Sequence, residues 1–519
     1  MATFNTNSRM SNALKTSMIG GITNIVKIFL GFGYRTIFVI LLSEVYLGIN
    51  GLFTNILQIL SLAELGITTA IVFRFYEPIS HEDVHYVGML MNFFGKVYRT
   101  IACAILGIGL CLLPFINLLI NNTDELPKDI NIYIIYILFL LNTVVSYVYA
   151  YKLTLLTADQ KNYALSVIDL ILTIVRYGVQ IIFLCVTHNY TVTLASGIVT
   201  TLIVNYLGSS WTQCQYKEVF CVKEMLPKEE QRKIFADTRA CMYHKIGATV
   251  LNGTDNAVLT KMVSLAATGI YSNYSMVITY VQSFIVQILG NFTASVGNAK
   301  QNMSREEYYC LFKKINFSGY WVASVVTVSV YATLDDFIKV WLGEKFVMGG
   351  YTTVVLCILL YMTLSRIING AFINADGLFV KDKVRPLIEA IINLVVSIVM
   401  AHYVGIVGVF LGTIISTLVT VQWRDPYILY KYSFKRSVWE YWRVFVNFFI
   451  LTIVGSVAVA YTKELILGSQ VGWGMVILEG LVTFIFINVC LIVVYRKSDE
   501  FSYIISIVKK ITNKMLHHN

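Results

Sequence analysis

Residues 46–71 read YLGINGLFTNILQILSLAELGITTAI, an almost uninterrupted apolar stretch in which Glu64 is the single charged residue. A helix that crosses the hydrocarbon core of a bilayer needs about 20 consecutive, mostly apolar residues. Only a helix satisfies the backbone hydrogen-bonding groups of a segment this long in lipid, because no water is present there. The stretch therefore predicts that this part of the chain crosses a membrane.

The same pattern recurs along nearly the whole chain of 519 residues, of which 57% are hydrophobic and 13% charged. This composition excludes a disordered chain and argues strongly against an ordinary soluble protein. We predict an all-α polytopic membrane protein with about 14 transmembrane helices. The apolar runs lie at residues 17–42, 46–73, 88–120, 130–151, 163–186, 190–210, 238–260, 267–293, 316–334, 350–374, 384–403, 405–422, 443–462 and 473–495.

The 40 Lys and Arg residues that give the chain its net charge of +10 are unevenly distributed between the two sides of the membrane. With a cytoplasmic N-terminus, about 30 of them fall on the cytoplasmic side. About five fall on the opposite side, namely Lys128, Lys261, Lys339, Lys345 and Lys463. Because cytoplasmic loops retain positive charge, we predict a cell-membrane protein with both termini in the cytoplasm. The positive charge reflects topology, and no nucleic-acid partner is expected.

Motifs for cofactors and catalysis are not found in the sequence. The nine cysteines lie in apolar runs or in segments assigned to the cytoplasm, and none has CxxC or zinc-type spacing. No GxxxxGK[ST] sequence is present, so ATP hydrolysis by this chain is not expected. The polar residues Met1 to Lys15 precede a long apolar run without a small-residue cleavage site, which predicts no removable signal peptide. We expect no cofactor, no metal and no catalytic residue.

A charged, amphipathic connection, KEVFCVKEMLPKEEQRKIFA from Lys217 to Ala236, lies near the middle of the chain. Leu47–Phe53 (LGINGLF) weakly resembles Thr268–Tyr274 (TGIYSNY), and the two segments are 221 residues apart. Both would run in the same direction through the membrane, which favours a parallel repeat. The alternative is that Gly-Ile pairs are simply common in apolar sequence. We predict two six-helix lobes at 1–210 and 238–422, a cytoplasmic linker at 211–237, two additional transmembrane helices at 423–495 and a cytoplasmic tail at 496–519.

Three segments together resemble the polysaccharide and O-antigen flippases. They are Tyr46–Ile71, Asp255–Val277 (DNAVLTKMVSLAATGIYSNYSMV) and Arg385–Leu418 (RPLIEAIINLVVSIVMAHYVGIVGVFLGTIISTL). Those flippases belong to the multidrug/oligosaccharidyl-lipid/polysaccharide (MOP) superfamily, which also contains multidrug and toxic-compound exporters and lipid II flippases. No single segment is a strict signature, but their order and spacing are similar across essentially the whole chain.

The resemblance implies two six-helix lobes around a central cavity that is often cationic, here with two additional C-terminal helices. It also implies movement of a polyprenyl-pyrophosphate-linked oligosaccharide from the inner to the outer leaflet for cell-surface polysaccharide synthesis. The partners expected from the resemblance are this lipid-linked substrate, membrane lipids, and glycosyltransferases and a polymerase of the same pathway. The driving force would be an ion gradient, the membrane potential or consumption of the product.

Charged residues inside the apolar runs are the candidates for the transport site, because an ionised group in hydrocarbon is costly unless it faces water or a partner. We expect Lys27, Arg35, Lys245 and Arg366 to line a cationic cavity that binds the substrate. Lys27 and Arg35 are eight residues apart, so one broad helix face can hold both. Such cations would hold the pyrophosphate while the isoprenoid tail stays in lipid.

Further charged residues are candidates for charge partners or gating residues, namely Glu64, Asp255, Asp169 and Arg176. Glu64 lies at a depth similar to that of Lys27, and Asp255 at a depth similar to that of Arg35, where it would form an outer latch. Asp169 and Arg176 are seven residues apart on one helix stripe, where a structural role is favoured. The polar groups expected around Arg366 are those of Asn369, Asn374 and Asp376.

Two other functions remain open. An ion-coupled drug or metabolite exporter of the same superfamily would share the fold and differ in the chemistry of its cavity. A polysaccharide polymerase-type membrane enzyme is the other alternative, but such enzymes need a sizeable outer domain, and the longest outer connection here is short. The adjacent residues Asp335 and Asp336 are interpreted as a solvated helix end.

Overall fold

The computed structural model describes the chain at residues 9–61, 67–120, 126–127, 129–235, 254–290, 296, 300, 303–378, 382, 384–466, 472–503 and 505–506. The secondary structure of these ranges is helical, and they contain no strand. The chain separates into two compact units, Met1–Gly269 and Ile270–Asn519. The all-α prediction is therefore confirmed.

In the part of the chain that the structure describes, the first unit contains seven long helices and short helical segments at 116–119, 217–221, 228–235 and 254–262. Asn131 begins one helix and Asn189 another, where each side chain accepts hydrogen bonds from free backbone N–H groups. The helices are α1 (Arg9–Leu41), α2 (Glu44–Leu60), α3 (Ile67–Ser80), α4 (Val84–Leu112), α5 (Ile132–Ala158), α6 (Asn162–Thr187) and α7 (Tyr190–Gln215). α1 packs mainly on α6, while α5 packs on α4 and α7.

The following helix, α8 (Leu265–Gly290), begins in the first unit, and the remaining helices belong to the second. They are α9 (Arg305–Leu342), α10 (Gly350–Ser365), α11 (Ile367–Ala375), α12 (Arg385–Val404), α13 (Ile406–Val419), α14 (Val421–Ile428), α15 (Trp439–Ile466) and α16 (Trp473–Tyr495). Ser304 and Glu307 form a capping box that starts α9. α12 and α13 form a tight hairpin, and α9 packs against α10, α15 and α16.

Eleven helices of the described ranges are long and apolar enough to cross a membrane. The predicted runs correspond closely to these helices, with two interruptions inside runs. The run at 46–73 is described as α2 and the start of α3, with residues 62–66 outside the described ranges. The run at 350–374 is divided at Arg366, between α10 and α11. Most of the run at 238–260 lies outside the described residues.

α12 shows how these helices are adapted to lipid. Its polar residues Glu389, Asn393 and Ser397 are buried. Its exposed face carries apolar residues, among them Ile391 and Val395. This distribution is the reverse of that on a helix of a soluble protein, where the polar face is exposed. The exposed apolar stripe is therefore suited to hydrocarbon.

Helix boundaries in the two units repeat at a constant spacing. α2 begins at Glu44 and α8 at Leu265, each after a two-residue break, and this is the 221-residue spacing predicted from the sequence. α4 begins at Val84 and α9 at Arg305, which gives the same spacing again. The helix boundaries therefore support the duplication.

A short Ala-Asp motif also occurs at the end of one helix in each unit. Ala158-Asp159-Gln160 ends α5, and Ala375-Asp376-Gly377 ends α11. The residue after the aspartate has a positive φ angle in both cases, 57° for Gln160 and 68° for Gly377. The motif therefore ends the helix in both units by the same left-handed turn.

Both aspartates of the motif are buried and have several partners. Asp159 accepts a hydrogen bond of 2.5 Å from Tyr216 and lies 2.7 Å from the Lys161 ammonium. Burial and the hydrogen bond to Asp159 raise the pKa of Tyr216 well above its usual value. Asp376 is 2.8 Å from the Lys300 ammonium. It also accepts hydrogen bonds from Tyr308 and Ser433.

Two glycines allow a close backbone approach within the first unit. A Cβ atom on Gly48 of α2 would lie 2.0 Å from the carbonyl oxygen of Leu265, and one on Gly269 would lie 2.0 Å from the carbonyl oxygen of Glu44. The contact is reciprocal, because each glycine is the fifth residue of its helix and faces the first residue of the other helix. Only glycine fits at these two positions without moving the backbone.

We therefore expect Gly48→Ala and Gly269→Ala each to lower the melting temperature of the purified protein, because the added methyl group overlaps backbone atoms. Overpacking of this kind costs about 1–3 kcal/mol. Gly33→Ala in α1 is the matched control, since nothing lies within 4 Å of its added Cβ. Equal melting temperatures for the three variants would contradict the close approach.

Candidate functional site

Charged side chains at membrane depth lie along the contact between α1 and α6. The Lys27 ammonium on α1 forms an ion pair and hydrogen bond with the Asp169 carboxylate on α6. The side chain of Lys27 is 24% exposed and that of Asp169 61% exposed, so the pair lies at the protein surface inside membrane-spanning helices. Such positions are rare in lipid and mark functional sites by default.

Aromatic and cationic groups continue this surface along the same two helices. Tyr34 of α1 and Tyr177 of α6 stack with their ring centres 4.6 Å apart and their planes 3° from parallel. The Arg176 guanidinium lies 5.2 Å from the centre of the Tyr177 ring. Arg35 interacts electrostatically with the phenol of Tyr34. The Tyr177 ring thus holds the Arg176 guanidinium at the α1–α6 contact by a cation–π interaction.

We call Lys27, Asp169 and Arg176 the α1–α6 charged strip. It holds two cations and one carboxylate. The Nε atom of Arg176 is buried and has no hydrogen-bond partner in the part of the chain that the structure describes. Arginine offers five donors in a planar arrangement that fits carboxylate and phosphate groups. The strip therefore has positive charge and donor capacity beyond what Asp169 uses.

The structure shows partners for only some of the charged residues that the sequence singled out. Lys27 binds Asp169, which the sequence assigned to a structural role beside Arg176. Glu64 and Lys245 lie outside the described residues. Asp255 lies in the helical segment 254–262, and its latch with Arg35 stays a prediction. The stacked Tyr34 and Tyr177 were not singled out from the sequence, because aromatic residues occur throughout it.

Arg366 lies in the second unit, at the break between α10 and α11. Its Nε atom donates to the Met362 carbonyl oxygen at 3.1 Å, and its charge acts on Glu389 and Asp425. Two of its expected partners have other contacts. Asn369 donates to the Tyr441 hydroxyl at 2.8 Å, and Asp376 binds Lys300. The expectation that Asn369 and Asp376 satisfy Arg366 was therefore wrong.

A compensated charge network surrounds Arg366. Arg385 binds Asp382 and lies 2.5 Å from a Glu389 oxygen, and Arg424 lies 2.5 Å from the other Asp382 oxygen. Asp382 and Glu389 are almost completely buried. Together with Arg366 and Asp425, the network holds three arginines and three carboxylates. Its charges balance, unlike those of the α1–α6 charged strip.

Asp335 and Asp336 are not a solvated helix end, as the sequence had suggested. They lie inside α9, which continues to Leu342. Asp335 accepts hydrogen bonds from Tyr274 and Thr353, and Asp336 forms an ion pair with Lys463 at 2.6 Å. The sequence could not reveal these partners because they come from distant helices.

These features define an all-α, polytopic membrane protein with a duplicated helix pattern and charged groups held at membrane depth. No family profile and no curated protein sequence matches the chain. Solved structures do match it in fold.

The lipid II flippase MurJ in an inward closed conformation has a TM-score of 0.62 and 14% identity, with 92% of this chain and 98% of that chain covered. An inward-facing multidrug resistance MATE family transporter of the MOP superfamily has a TM-score of 0.57 and 13% identity, covering 78% of this chain and 95% of that one. A point mutant of the Vibrio cholerae MATE transporter VcmN has a TM-score of 0.55 and 13% identity, covering 83% and 99%. The chain therefore shares its fold with these transporters, and the suspected resemblance is confirmed at the level of the fold.

We expect Lys27→Gln to lower the melting temperature of the protein, because it leaves the Asp169 carboxylate without its cation. An ionised carboxylate without a partner is costly inside a membrane-spanning helix. The double variant Lys27→Gln with Asp169→Asn should recover most of the loss, since neither charge remains. A double variant as unstable as the single one would contradict a direct Lys27–Asp169 interaction.

Proposed function

We propose that this protein is a membrane transporter that moves a polyprenyl-pyrophosphate-linked oligosaccharide from the cytoplasmic to the outer leaflet. The observation that carries the proposal is the α1–α6 charged strip, with two cations and one carboxylate inside membrane-spanning helices. The fold shared with a lipid II flippase over nearly the full length of both chains supports it. We further propose alternating access through a cationic cavity, with both termini cytoplasmic.

The chemistry of the strip suits a pyrophosphate. A pyrophosphate carries about two to three negative charges and cannot cross hydrocarbon without compensation. Arg176 offers planar donor groups for its oxygens, and Lys27 adds a point charge. Asp169 keeps the charge of Lys27 compensated when no substrate is bound. Displacement of Asp169 by the pyrophosphate would release one ion pair and form another.

The surroundings of the strip suit the lipid tail. On α1, Ile25 and Phe29 flank Lys27 in sequence and are exposed, and on α6, Ile171 and Ile174 lie exposed between Asp169 and Arg176. These side chains place an apolar surface directly beside the charged groups. An isoprenoid chain can therefore stay in contact with hydrocarbon and apolar side chains while its pyrophosphate binds the strip.

The alternative within the same superfamily is an ion-coupled drug or metabolite exporter, which the similarity to MATE transporters keeps open. An excess of cations in the strip disfavours the cationic compounds that such an exporter would carry. The polymerase-type enzyme is less favoured, because Asp335 and Asp336 have separate structural partners. Glycosyltransferases and a polymerase of the same pathway remain proposed partners.

We expect Arg176→Gln to lower flipping of a polyprenyl-pyrophosphate-linked sugar in reconstituted vesicles by about tenfold or more, because a charge-assisted hydrogen bond contributes about 1.5–3 kcal/mol. Arg176→Lys should retain more activity, since the charge remains while bidentate geometry is lost. The control is Lys228→Gln, an exposed residue outside the membrane-spanning helices. Equal flipping by all variants, at equal protein level, would contradict the role of the strip.

Deletion of the gene should stop surface polysaccharide assembly and leave lipid-linked repeat units on the cytoplasmic leaflet. The measurements are surface polymer on intact cells and extraction of lipid-linked sugars. Normal surface polymer, in a strain without a second flippase, would reject the proposal. Polymer that is only shortened would favour the polymerase, and accumulation of a cationic dye would favour the exporter.

A further inference from the structure

A cavity of about 400 Å³ opens in the second unit between α9, α10 and α15. Its wall includes Tyr331 and Asp335 of α9, Thr353 of α10 and Lys463 of α15. Small-molecule sites have volumes of about 300–1,000 Å³, so this cavity is large enough for a small ligand. Its wall is separate from the α1–α6 charged strip, which belongs to the first unit.

Lys463 has no donor left for a ligand. Its ammonium lies 2.6 Å from Asp336, 2.9 Å from Glu479 and 2.8 Å from the Ala332 carbonyl oxygen. A lysine ammonium has three N–H donors, and three acceptors surround this one. The lysine therefore stabilises the wall of the cavity and does not provide an anion-binding group.

Asp335 has acceptor capacity left. Tyr274 donates to one of its oxygens at 2.6 Å, and the Thr353 hydroxyl lies 2.8 Å and 3.0 Å from the two oxygens. Two neutral hydroxyl groups thus hold the carboxylate in place. No cation of the described residues forms an ion pair with it. An ionised carboxylate has about four acceptor positions, so a ligand in the cavity can donate to Asp335.

The charge of the wall limits the kind of ligand. The wall contains the Asp335 carboxylate, and the Lys463 ammonium of the wall is bound by two further carboxylates, those of Asp336 and Glu479, which lie outside the wall. This excess of negative charge repels a pyrophosphate or an acidic sugar. The Tyr331 ring adds an aromatic surface, which sugar rings commonly contact through their C–H groups. The cavity therefore favours a neutral ligand that is rich in hydroxyl donors.

We propose that this cavity binds a neutral mono- or disaccharide unit, with Asp335 as the hydrogen-bond acceptor for sugar hydroxyls and Tyr331 as the aromatic surface. In the cell this saccharide would be part of the transported lipid-linked oligosaccharide, and that identification rests on the proposed function. Binding of a free sugar does not, because it is measured without transport.

The test is saturation-transfer NMR on the full chain in lipid nanodiscs, with free lactose and N,N′-diacetylchitobiose as neutral probes and glucuronic acid as the acidic probe. Glycoside detergents are avoided because their sugar headgroups would compete. Both neutral disaccharides should receive saturation from the protein, and glucuronic acid should not. Asp335→Asn and Tyr331→Leu should each weaken binding by about tenfold.

The variants are chosen to keep the fold. The side-chain amide oxygen introduced by Asp335→Asn still accepts from Tyr274 and Thr353, so the packing of α9 is retained. Tyr351→Leu is the matched control for Tyr331→Leu, because Tyr351 is 83% exposed and is not part of the cavity wall. Equal melting temperatures of variants and wild type establish that any loss of binding is local.

Three results would overturn the proposal: no saturation of either neutral disaccharide, equal binding by wild type and both cavity variants, or equal binding of glucuronic acid. A different result would assign the cavity to a monovalent cation instead. In that case NaCl would stabilise the wild type but not Asp335→Asn, and no saccharide signal would be seen. If the protein flips the lipid-linked sugar but binds no disaccharide, only the saccharide site is contradicted. If the protein binds the disaccharides but does not flip the lipid-linked sugar, only the proposed function is contradicted.

Discussion

Hydrocarbon provides no hydrogen-bonding partner, and every polar group in the membrane-spanning helices must find one within the protein or at a wet surface. This constraint accounts for the buried polar face of α12. It also accounts for the compensated network of Asp382, Arg385 and Glu389. A charge that remains exposed at membrane depth, as in the Lys27–Asp169 pair, is the exception and therefore the candidate for function.

Much of the fold was predictable from the sequence because length and apolar composition are local properties. The runs at 163–186 and 473–495 correspond almost residue for residue to α6 and α16. Breaks inside a run were not predictable, since the division at Arg366 leaves the apolar pattern intact. The 221-residue spacing, inferred from seven residues around Gly48, also describes the starts of α2, α4, α8 and α9.

The site was less predictable, because its contacts join residues far apart in the chain. Lys27 and Arg176 were recognised as charges inside apolar runs, but the pairing of Lys27 with Asp169 spans 142 residues. Hydropathy predicts how deep such a residue lies in the membrane, but it does not predict which neighbouring helix its side chain faces. Asp335 was misinterpreted for the same reason, since its partner Tyr274 lies on another helix. Contacts between residues on separate helices can be predicted only when the packing of those helices is known, and no local sequence pattern gives that packing.

The repeated helix starts give the two units a common framework, but the charges of the two units differ. The Ala-Asp motif at Asp159 and Asp376 keeps its left-handed turn in both units, although the hydroxyl groups that bind each aspartate differ. The first unit keeps an excess of cations on its α1–α6 charged strip, whereas the second balances its arginines with carboxylates around Arg385 and has spare acceptors at Asp335. A lipid-linked oligosaccharide combines an anionic pyrophosphate with a sugar that donates hydrogen bonds. Spare donors on the α1–α6 charged strip suit the pyrophosphate of the proposed substrate, and spare acceptors at Asp335 suit its sugar.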